Sequence, residues 1–330
     1  MGALAVGFLG FQFITEQFQN IIVNNAKLSD SLADVRKTTG LSEEGVRRLQ
    51  TELNKLETRT SRKELLDLAQ VAGKLGVSGE RDILGFVRAA DKIKVALGGD
   101  LGDAEQAINS LGKLTELFKI KQEFGLEGAL IKTGSEINAL GAAGTASESY
   151  LVEFTKRMGG IAPQANFSIQ SILGLAATMD ELGQPVEAAA TAIGQFVVGM
   201  GKDIPGFARI AGMGVKEFSK VLKTDGNQAL LEVLKNLQST GMGVGGLAEK
   251  MGMIGEEGAR ATSALGALSN NLDLLVTRQK LSNEQFELGT SLQQEFDVKM
   301  STFGATLDNM TKKFNSLSTN NVLTDFLKNL

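Results

Sequence analysis

The chain has 330 residues and a formal net charge of −4, from 34 lysine and arginine residues and 38 aspartate and glutamate residues. It contains no histidine and no cysteine, and only one tyrosine and three prolines. A Ser-His-Asp triad, a cysteine nucleophile, a zinc site of histidine or cysteine and a disulfide are therefore excluded. Because the balance is mildly acidic, we expect no specific nucleic-acid binding, and no motif predicts a cofactor.

Apolar residues recur at helical rather than strand spacing along the sequence. This pattern predicts an all-α fold, in which elongated coiled-coil-like ends flank a compact multi-helix bundle. We expect three zones: an apolar start with a heptad coiled-coil segment at 1–60, a helical core domain rich in small residues at 61–280, and a C-terminal heptad helix at 281–330.

The first feature in chain order is an unbroken apolar run from Gly2 to Phe11. The run is shorter than the roughly 20 residues that a helix needs to span a bilayer. It also differs from a signal peptide, because no lysine or arginine precedes Lys27. A membrane-active helical protein that inserts through its apolar N-terminus, residues 2–23, stays open as an alternative function.

Residues 4–60 carry apolar side chains in a sustained alternation of three- and four-residue steps. Such a repeat is typical of a left-handed coiled coil, and the mixture of Phe, Ile and Leu suits three or more strands. Gly40 and Gly45 lie beside polar heptad positions and predict a joint at 38–45. The alternative is an amphipathic helix that packs within its own chain. The predicted self-association positions are Phe11, Ile14, Phe18, Ile21, Leu28, Leu32, Val35, Val46, Leu49, Leu53 and Leu56.

Capping signals predict where the helices of the middle zone begin and end. Glycine pairs and clusters at 98–99, 159–160, 201 and 241–246 predict helix ends or loops. Capping boxes, in which Glu or Gln follows three residues later, are predicted at Ser61, Thr145 and Ser282, with looser versions at Asp103 and Asp225.

A second heptad begins near the end of the chain and predicts another coiled-coil-like helix. Apolar residues recur up to Leu330, and no polar cap or tail follows them. We therefore expect the chain to be a fragment of a longer protein. The positions of this heptad are Met300, Phe303, Leu307, Met310, Phe314 and Leu317.

Residues 241–246 formally satisfy the pattern G-x-G-x-x-G. A dinucleotide site also needs a preceding strand and an acidic residue about 20 positions later. Here the preceding residues 229–237 have a helical pattern, and residues 262–266 contain no acidic side chain. The pattern therefore predicts a loop rather than a nucleotide site.

Carboxylates are the main groups left for catalysis, and they occur as adjacent pairs at Glu43–Glu44, Asp180–Glu181 and Glu256–Glu257. Neighbours on a helix point about 100° apart, and all three pairs lie where structural charges are common. We therefore predict no catalytic residue and no enzyme. A peptidoglycan hydrolase that uses carboxylates alone stays open as a third alternative, since glycan hydrolysis needs only two.

The densest basic stretch runs from Arg36 to Lys63 and contains interleaved glutamates but no aromatic residue. Nucleic-acid bases would find no stacking platform there. A solvent-exposed helix face with i,i+4 ion pairs is the better interpretation.

Five segments of the middle and C-terminal parts form a recurrent order of helices and turns: SGERDILGFVRAADKIKVALGGDLGDAEQAI (78–108), QSILGLAATMDELGQPVEAAATAI (170–193), AGMGVKEFSKVLKTDGNQALLEVLKNL (211–237), LGALSNNLDLL (265–275) and GTSLQQEF (289–296). Taken in order after the apolar start and the heptad stretch, they resemble the N-terminal and core region of phage tail tape measure proteins. The resemblance covers roughly residues 75–315 and is a pattern of many weak positions, without a catalytic signature.

The resemblance implies a structural phage or prophage protein that sets tail tube length during assembly. Such a protein occupies the tube lumen of the virion tail until DNA ejection, after a stage in the host cytoplasm. The implied partners are further copies of the chain, the tail tube protein, tail assembly chaperones and initiator or baseplate proteins, together with transient membrane contact. Members of this family are usually much longer, and the peptidoglycan-cleaving module that some carry has no counterpart here.

Overall fold

The computed structural model describes residues 28–102, 104–237, 246–247 and 255–318. Within these ranges the chain is α-helical, with one 3-10 turn at Pro163–Ala165 and no β-strand. The predicted all-α fold is confirmed, whereas the coiled-coil character of its ends stays a prediction. The zone boundaries expected at residues 60 and 280 also stay predictions.

The α-helices vary widely in length, and their bounds follow in chain order. They are α1 (28–39), α2 (Glu43–Asn54), α3 (Arg62–Lys74), α4 (Glu80–Leu101), α5 (Ala104–Leu117), α6 (Ile120–Ala142), α7 (Glu148–Met158), α8 (Ile169–Glu181), α9 (Val186–Lys202), α10 (Ile204–Ile210), α11 (Val215–Thr224), α12 (Gly226–Leu237), α13 (Gly255–Asn270), α14 (Leu272–Leu288), α15 (Ser291–Ser301) and α16 (Phe303–Ser318).

Two compact units divide this part of the chain, with boundaries inside α4 and α15. The first unit contains residues 28–91 and 296–318, and the second contains residues 92–295. In the first unit, α3 approaches α1 closely, because a Cβ on Gly73 would lie 2.6 Å from the carbonyl carbon of Thr38. The buried hydroxyl of Thr58 donates a hydrogen bond of 2.8 Å to Asp91.

The second unit is organised around α14, which packs against α8 and α6. Helix α5 lies against α6, α7 lies against α8 and α9, and α13 lies against α9. Helix α6 has a kink at Gly125, where φ is 68°, a value that favours glycine. The largest fully buried side chains of this unit are Phe154, Phe196, Phe207 and Phe218.

Several predicted helix boundaries are confirmed. Ser61 and Glu64 form a reciprocal capping box at the start of α3, and Asp225 accepts a hydrogen bond of 2.9 Å from the Gln228 amide at the start of α12. The joint predicted at 38–45 is present, because residues 40–42 are not helical and Gly40 has φ of 70°. Helix α7 ends at Met158, immediately before the glycine pair at 159–160.

Three other boundary predictions are wrong. Helix α7 is capped by Ser147 rather than Thr145, since the Ser147 side chain accepts a hydrogen bond from the Tyr150 amide. Ser282 lies inside α14 and starts no helix. Helix α4 continues through Gly98 and Gly99 to Leu101, because a glycine weakens a helix without being obliged to end it. Asp103 lies outside the described residues.

Candidate functional site

The N-terminal heptad positions that the structure describes lie in the first unit. Phe11, Ile14, Phe18 and Ile21 fall outside the described residues. Val35, Val46, Leu49 and Leu53 are buried, whereas Leu28, Leu32 and Leu56 are half-buried. These side chains of α1 and α2 therefore pack within one chain, as expected for an amphipathic helix that packs against its own chain. Their role in self-association stays a prediction.

The C-terminal heptad differs, because two of its three described side chains are exposed, while Met300 is half-buried. Leu307 is 48% exposed and Met310 is 64% exposed on α16. The heptad also crosses the break at Thr302 between α15 and α16. Within the first unit, Arg59 forms an ion pair of 3.0 Å with Asp308 of α16.

The adjacent carboxylates whose side chains are described are engaged in structural contacts. Glu43 pairs with Arg47 at 2.7 Å, one helical turn away. Asp180 accepts hydrogen bonds from the backbone amide and the hydroxyl of Ser147. Glu181 receives two hydrogen bonds from Arg278, of 2.7 and 2.9 Å, between α8 and α14. The side chains of Glu256 and Glu257 lie outside the described part.

The glycine pattern at 241–246 lies largely outside the described residues. The residues before it form α12 and not a strand. The prediction that this pattern lacks the strand of a dinucleotide site is therefore confirmed.

The most unusual chemistry of the second unit is a buried polar seam between α6 and the α14–α15 region. On α6 it contains Thr133, Ser135, Glu136 and Asn138, and opposite them it contains Ser282, Gln285 and Ser291.

Glu136 lies at the centre of the polar seam and is fully buried. Its Oε1 atom accepts a hydrogen bond of 2.9 Å from the Ser282 hydroxyl. Within the described chain, Glu136 Oε2, Thr133 Oγ1 and Gln285 Oε1 are buried without a hydrogen-bond partner. Burial raises the pKa of Glu136 well above its ordinary value, against the opposing effects of the Ser282 hydrogen bond and the Lys132 charge.

The end of the polar seam at α15 is better satisfied than its centre. Asn138 Nδ2 donates to the Ser291 hydroxyl at 2.7 Å, and the Leu292 amide donates to Ser135 Oγ at 3.3 Å. The seam is therefore held at the α15 side by hydrogen bonds, while Glu136 keeps one oxygen unpaired.

An aromatic pair covers Lys132, one helical turn before Glu136. The Lys132 Nζ atom lies 4.6 Å from the ring centroid of Phe124 and 4.8 Å from that of Phe286. The same nitrogen donates a hydrogen bond of 2.7 Å to the Phe286 carbonyl. These contacts hold the ammonium group against the end of α14, so that its charge is only a partial counterweight to Glu136.

One turn earlier on α14, the contacts with α8 and α12 are close and rich in hydrogen bonds. Gln279 Nε2 donates to the Ser171 carbonyl at 3.1 Å and to Asn227 Oδ1 at 2.8 Å. Asn227 returns a hydrogen bond of 3.0 Å to Gln279 Oε1. A Cβ on Gly174 would lie 2.6 Å from the Gln279 Cα, so only glycine allows this approach.

A surface cleft of about 670 Å³ lies beside the aromatic pair. Phe118, Phe124, Phe167 and Phe286 form apolar parts of its wall, and Lys119 and Glu123 supply charged groups. This wall contains no concentration of acidic or nucleophilic side chains.

Sequence reasoning missed the polar seam, although a signal for it is present. The segment around Glu136 has Leu130, Ile131, Ile137 and Leu140 on several sides, which is typical of a helix buried all round. A carboxylate inside such a segment has to be buried too.

The described residues contain no group of three or more acidic side chains placed to hold a metal ion. None of the described helices combines the length and the apolar character that a membrane span requires. The apolar start, on which the membrane-active alternative depends, lies outside the described residues.

Among the described side chains, the adjacent carboxylates serve as ion-pair or hydrogen-bond partners. The sequence model of the phage-related minor tail protein family matches residues 47–241, more than half of the chain. The chain belongs to this family and is a phage tail component. No curated protein and no solved structure matches the chain.

Proposed function

We propose that the chain is part of a tape measure protein, which sets the length of the phage tail tube during assembly. The observation that carries this proposal is the family match over residues 47–241 in a chain whose described residues are helical almost throughout. A helix rises 1.5 Å per residue, so the number of residues in a helical chain converts directly into a length.

In this role the tape measure protein acts in an extended form. The two compact units described above represent the folded form of the chain before it enters the tube. A fully helical chain of this size would span on the order of 500 Å. The protein moves from the host cytoplasm to the tube lumen and stays there until DNA ejection. It acts as a structural component without catalysis.

The partners in this proposal follow from the same role. Three or more copies of the chain associate through the heptad positions, and the tail tube protein surrounds them. Assembly chaperones and initiator or baseplate proteins contact the chain while the tail is built, and its apolar start contacts a membrane transiently. The net charge of −4 supports release rather than retention of the DNA that passes through the same lumen.

Deletion of the gene from the phage or prophage that encodes it tests the proposal, with electron microscopy of tails as the measurement. We expect no tails, or tubes without a fixed length, and we expect recovery when the wild-type chain is supplied in trans. Tails of normal number and length in the deletion strain would overturn the proposal. Liposome leakage by the purified chain, together with normal tails, would favour the membrane-active alternative instead.

A further inference from the structure

We propose that the second unit has a built-in opening point: it parts between α6 and α14 along the polar seam, and Glu136 gives up a proton to solvent as it does so. This inference concerns the stability of the second unit and does not depend on the proposed tape measure function.

The first reason is that the contacts along α14 are unequally satisfied. Where α14 meets α8 and α12, Gln279 donates to the Ser171 carbonyl and accepts from Asn227 of α12. Arg278 and Glu181 of α8 form a two-point ion pair there. Toward α6, Glu136 Oε2 and Gln285 Oε1 are buried without a partner in the described chain. Buried polar atoms without partners destabilise an interface, and separation of α6 from α14 would hydrate them.

The second reason is the charge around Glu136. Lys132, on the same helix, is the charged residue that favours the ionised carboxylate, and the aromatic pair and the Phe286 carbonyl hold its ammonium group. Two charged residues of neighbouring helices are held away from the Glu136 carboxylate. Arg278 of α14 is bound by Glu181 of α8, and Glu148 of α7 lies beside Gly141, more than one turn further along α6.

The direction of the pH effect follows from these surroundings. Burial raises the pKa of Glu136 in the folded unit, whereas an exposed glutamate has a pKa of about 4.3. At pH values between these two pKa values, the folded unit therefore binds one more proton than the open unit. In that window opening becomes easier as pH rises, by up to about tenfold in the equilibrium constant per pH unit.

The variant Glu136→Gln tests this linkage, because glutamine imitates the protonated side chain in shape and charge. Chemical unfolding of the full chain is measured from pH 5 to pH 8 for wild type, for Glu136→Gln and for the control Glu153→Gln. Glu153 is a half-buried carboxylate on α7, 40% exposed, that pairs with Lys156 and Arg157. We expect the ratio of unfolding constants, wild type over Glu136→Gln, to rise with pH, by up to about tenfold per unit. The ratio for the control should stay constant.

Thiol labelling tests where the opening occurs, because the natural chain has no cysteine. Thr133→Cys places a thiol on the same face of α6 as Glu136, at a side chain whose hydroxyl has no partner to lose. Ala189→Cys places one in α9, at an equally buried position away from the seam. We expect Thr133→Cys to react at least about tenfold faster than Ala189→Cys at pH 8, and this difference to shrink when Glu136→Gln is added.

Two results would overturn the proposal. Equal labelling rates at the two positions would mean that the unit opens only as a whole. A pH-independent ratio between wild type and Glu136→Gln, or a Glu136→Gln chain that fails to fold, would mean that Glu136 is not a buried protonated group whose ionisation accompanies opening.

Discussion

At the residue scale, a single glycine allows the close contact between α8 and α14 in the second unit. Gly174 of α8 faces the backbone of Gln279 in α14, and a Cβ would lie 2.6 Å from the Gln279 Cα and 2.7 Å from its backbone nitrogen. Backbone atoms have no alternative rotamer, so α8 and α14 would have to move apart to admit a methyl group.

Gly174→Ala should therefore lower the free energy of unfolding by about 1–3 kcal/mol, the range of over-packed cores. Urea unfolding, monitored by circular dichroism, measures this change in the free energy of unfolding. Gly99→Ala is the matched control, because Gly99 lies inside α4, is exposed and has no atom near its Cβ position. That change should raise stability by roughly 0.5–1 kcal/mol, since alanine favours helices. Equal effects of the two substitutions would contradict the packing at Gly174.

The sequence could not have predicted the centre of the polar seam at this scale. Helical spacing places Thr133 and Glu136 on one face of α6, but the hydroxyl that reaches Glu136 comes from Ser282, far away in the sequence. Ser282 itself was predicted as a helix start, because Gln285 follows it at the spacing of a capping box. Both the partner of Glu136 and the position of Ser282 inside α14 depend on tertiary contacts, which local sequence patterns do not reveal.

At the element scale, the sequence predicted the helical class and several helix starts because those features depend on local chemistry. Ser61 caps α3 with its own Glu64, and Asp225 caps α12. The start of α7 is different, because two hydroxyl residues compete for the cap. Ser147 takes it, and Asp180 of α8 fixes Ser147 by accepting hydrogen bonds from its amide and hydroxyl.

This assignment predicts different effects for two similar substitutions. Ser147→Ala should lower the free energy of unfolding by about 1 kcal/mol, because α7 loses its N-cap acceptor. Thr145→Ala should change it by less than about 0.5 kcal/mol, because Thr145 is exposed and caps no helix. Thermal or urea unfolding of both variants decides between them. A larger loss of stability in Thr145→Ala than in Ser147→Ala would contradict the Ser147 cap and favour Thr145, the residue predicted from the sequence, as the cap of α7.

At the scale of the whole molecule, the two heptads predict different consequences of mutation. Val46 and Leu49 are buried within the first unit, so charged residues there should unfold the unit. Leu307 and Met310 are exposed on α16, so charged residues there should leave the fold intact and weaken any association between chains.

Light scattering and circular dichroism of two double variants test this difference. We expect Leu307→Glu with Met310→Glu to lower the average mass of the associated protein while the helical signal is unchanged. Val46→Glu with Leu49→Glu should lose much of the helical signal of the first unit, since buried unpaired charges are strongly destabilising. A monomeric wild-type chain would contradict self-association through either heptad.

The most direct test of the tape measure role is tail length in phage that carry a lengthened chain. The exposed turn at Ser78 and Gly79, between α3 and α4, is a suitable insertion point. An insertion of about 40 helical residues should lengthen the tail by roughly 60 Å, at 1.5 Å per residue. The length-neutral variant Ser78→Ala should give wild-type tails. Tails of unchanged length that contain the lengthened chain would contradict the account.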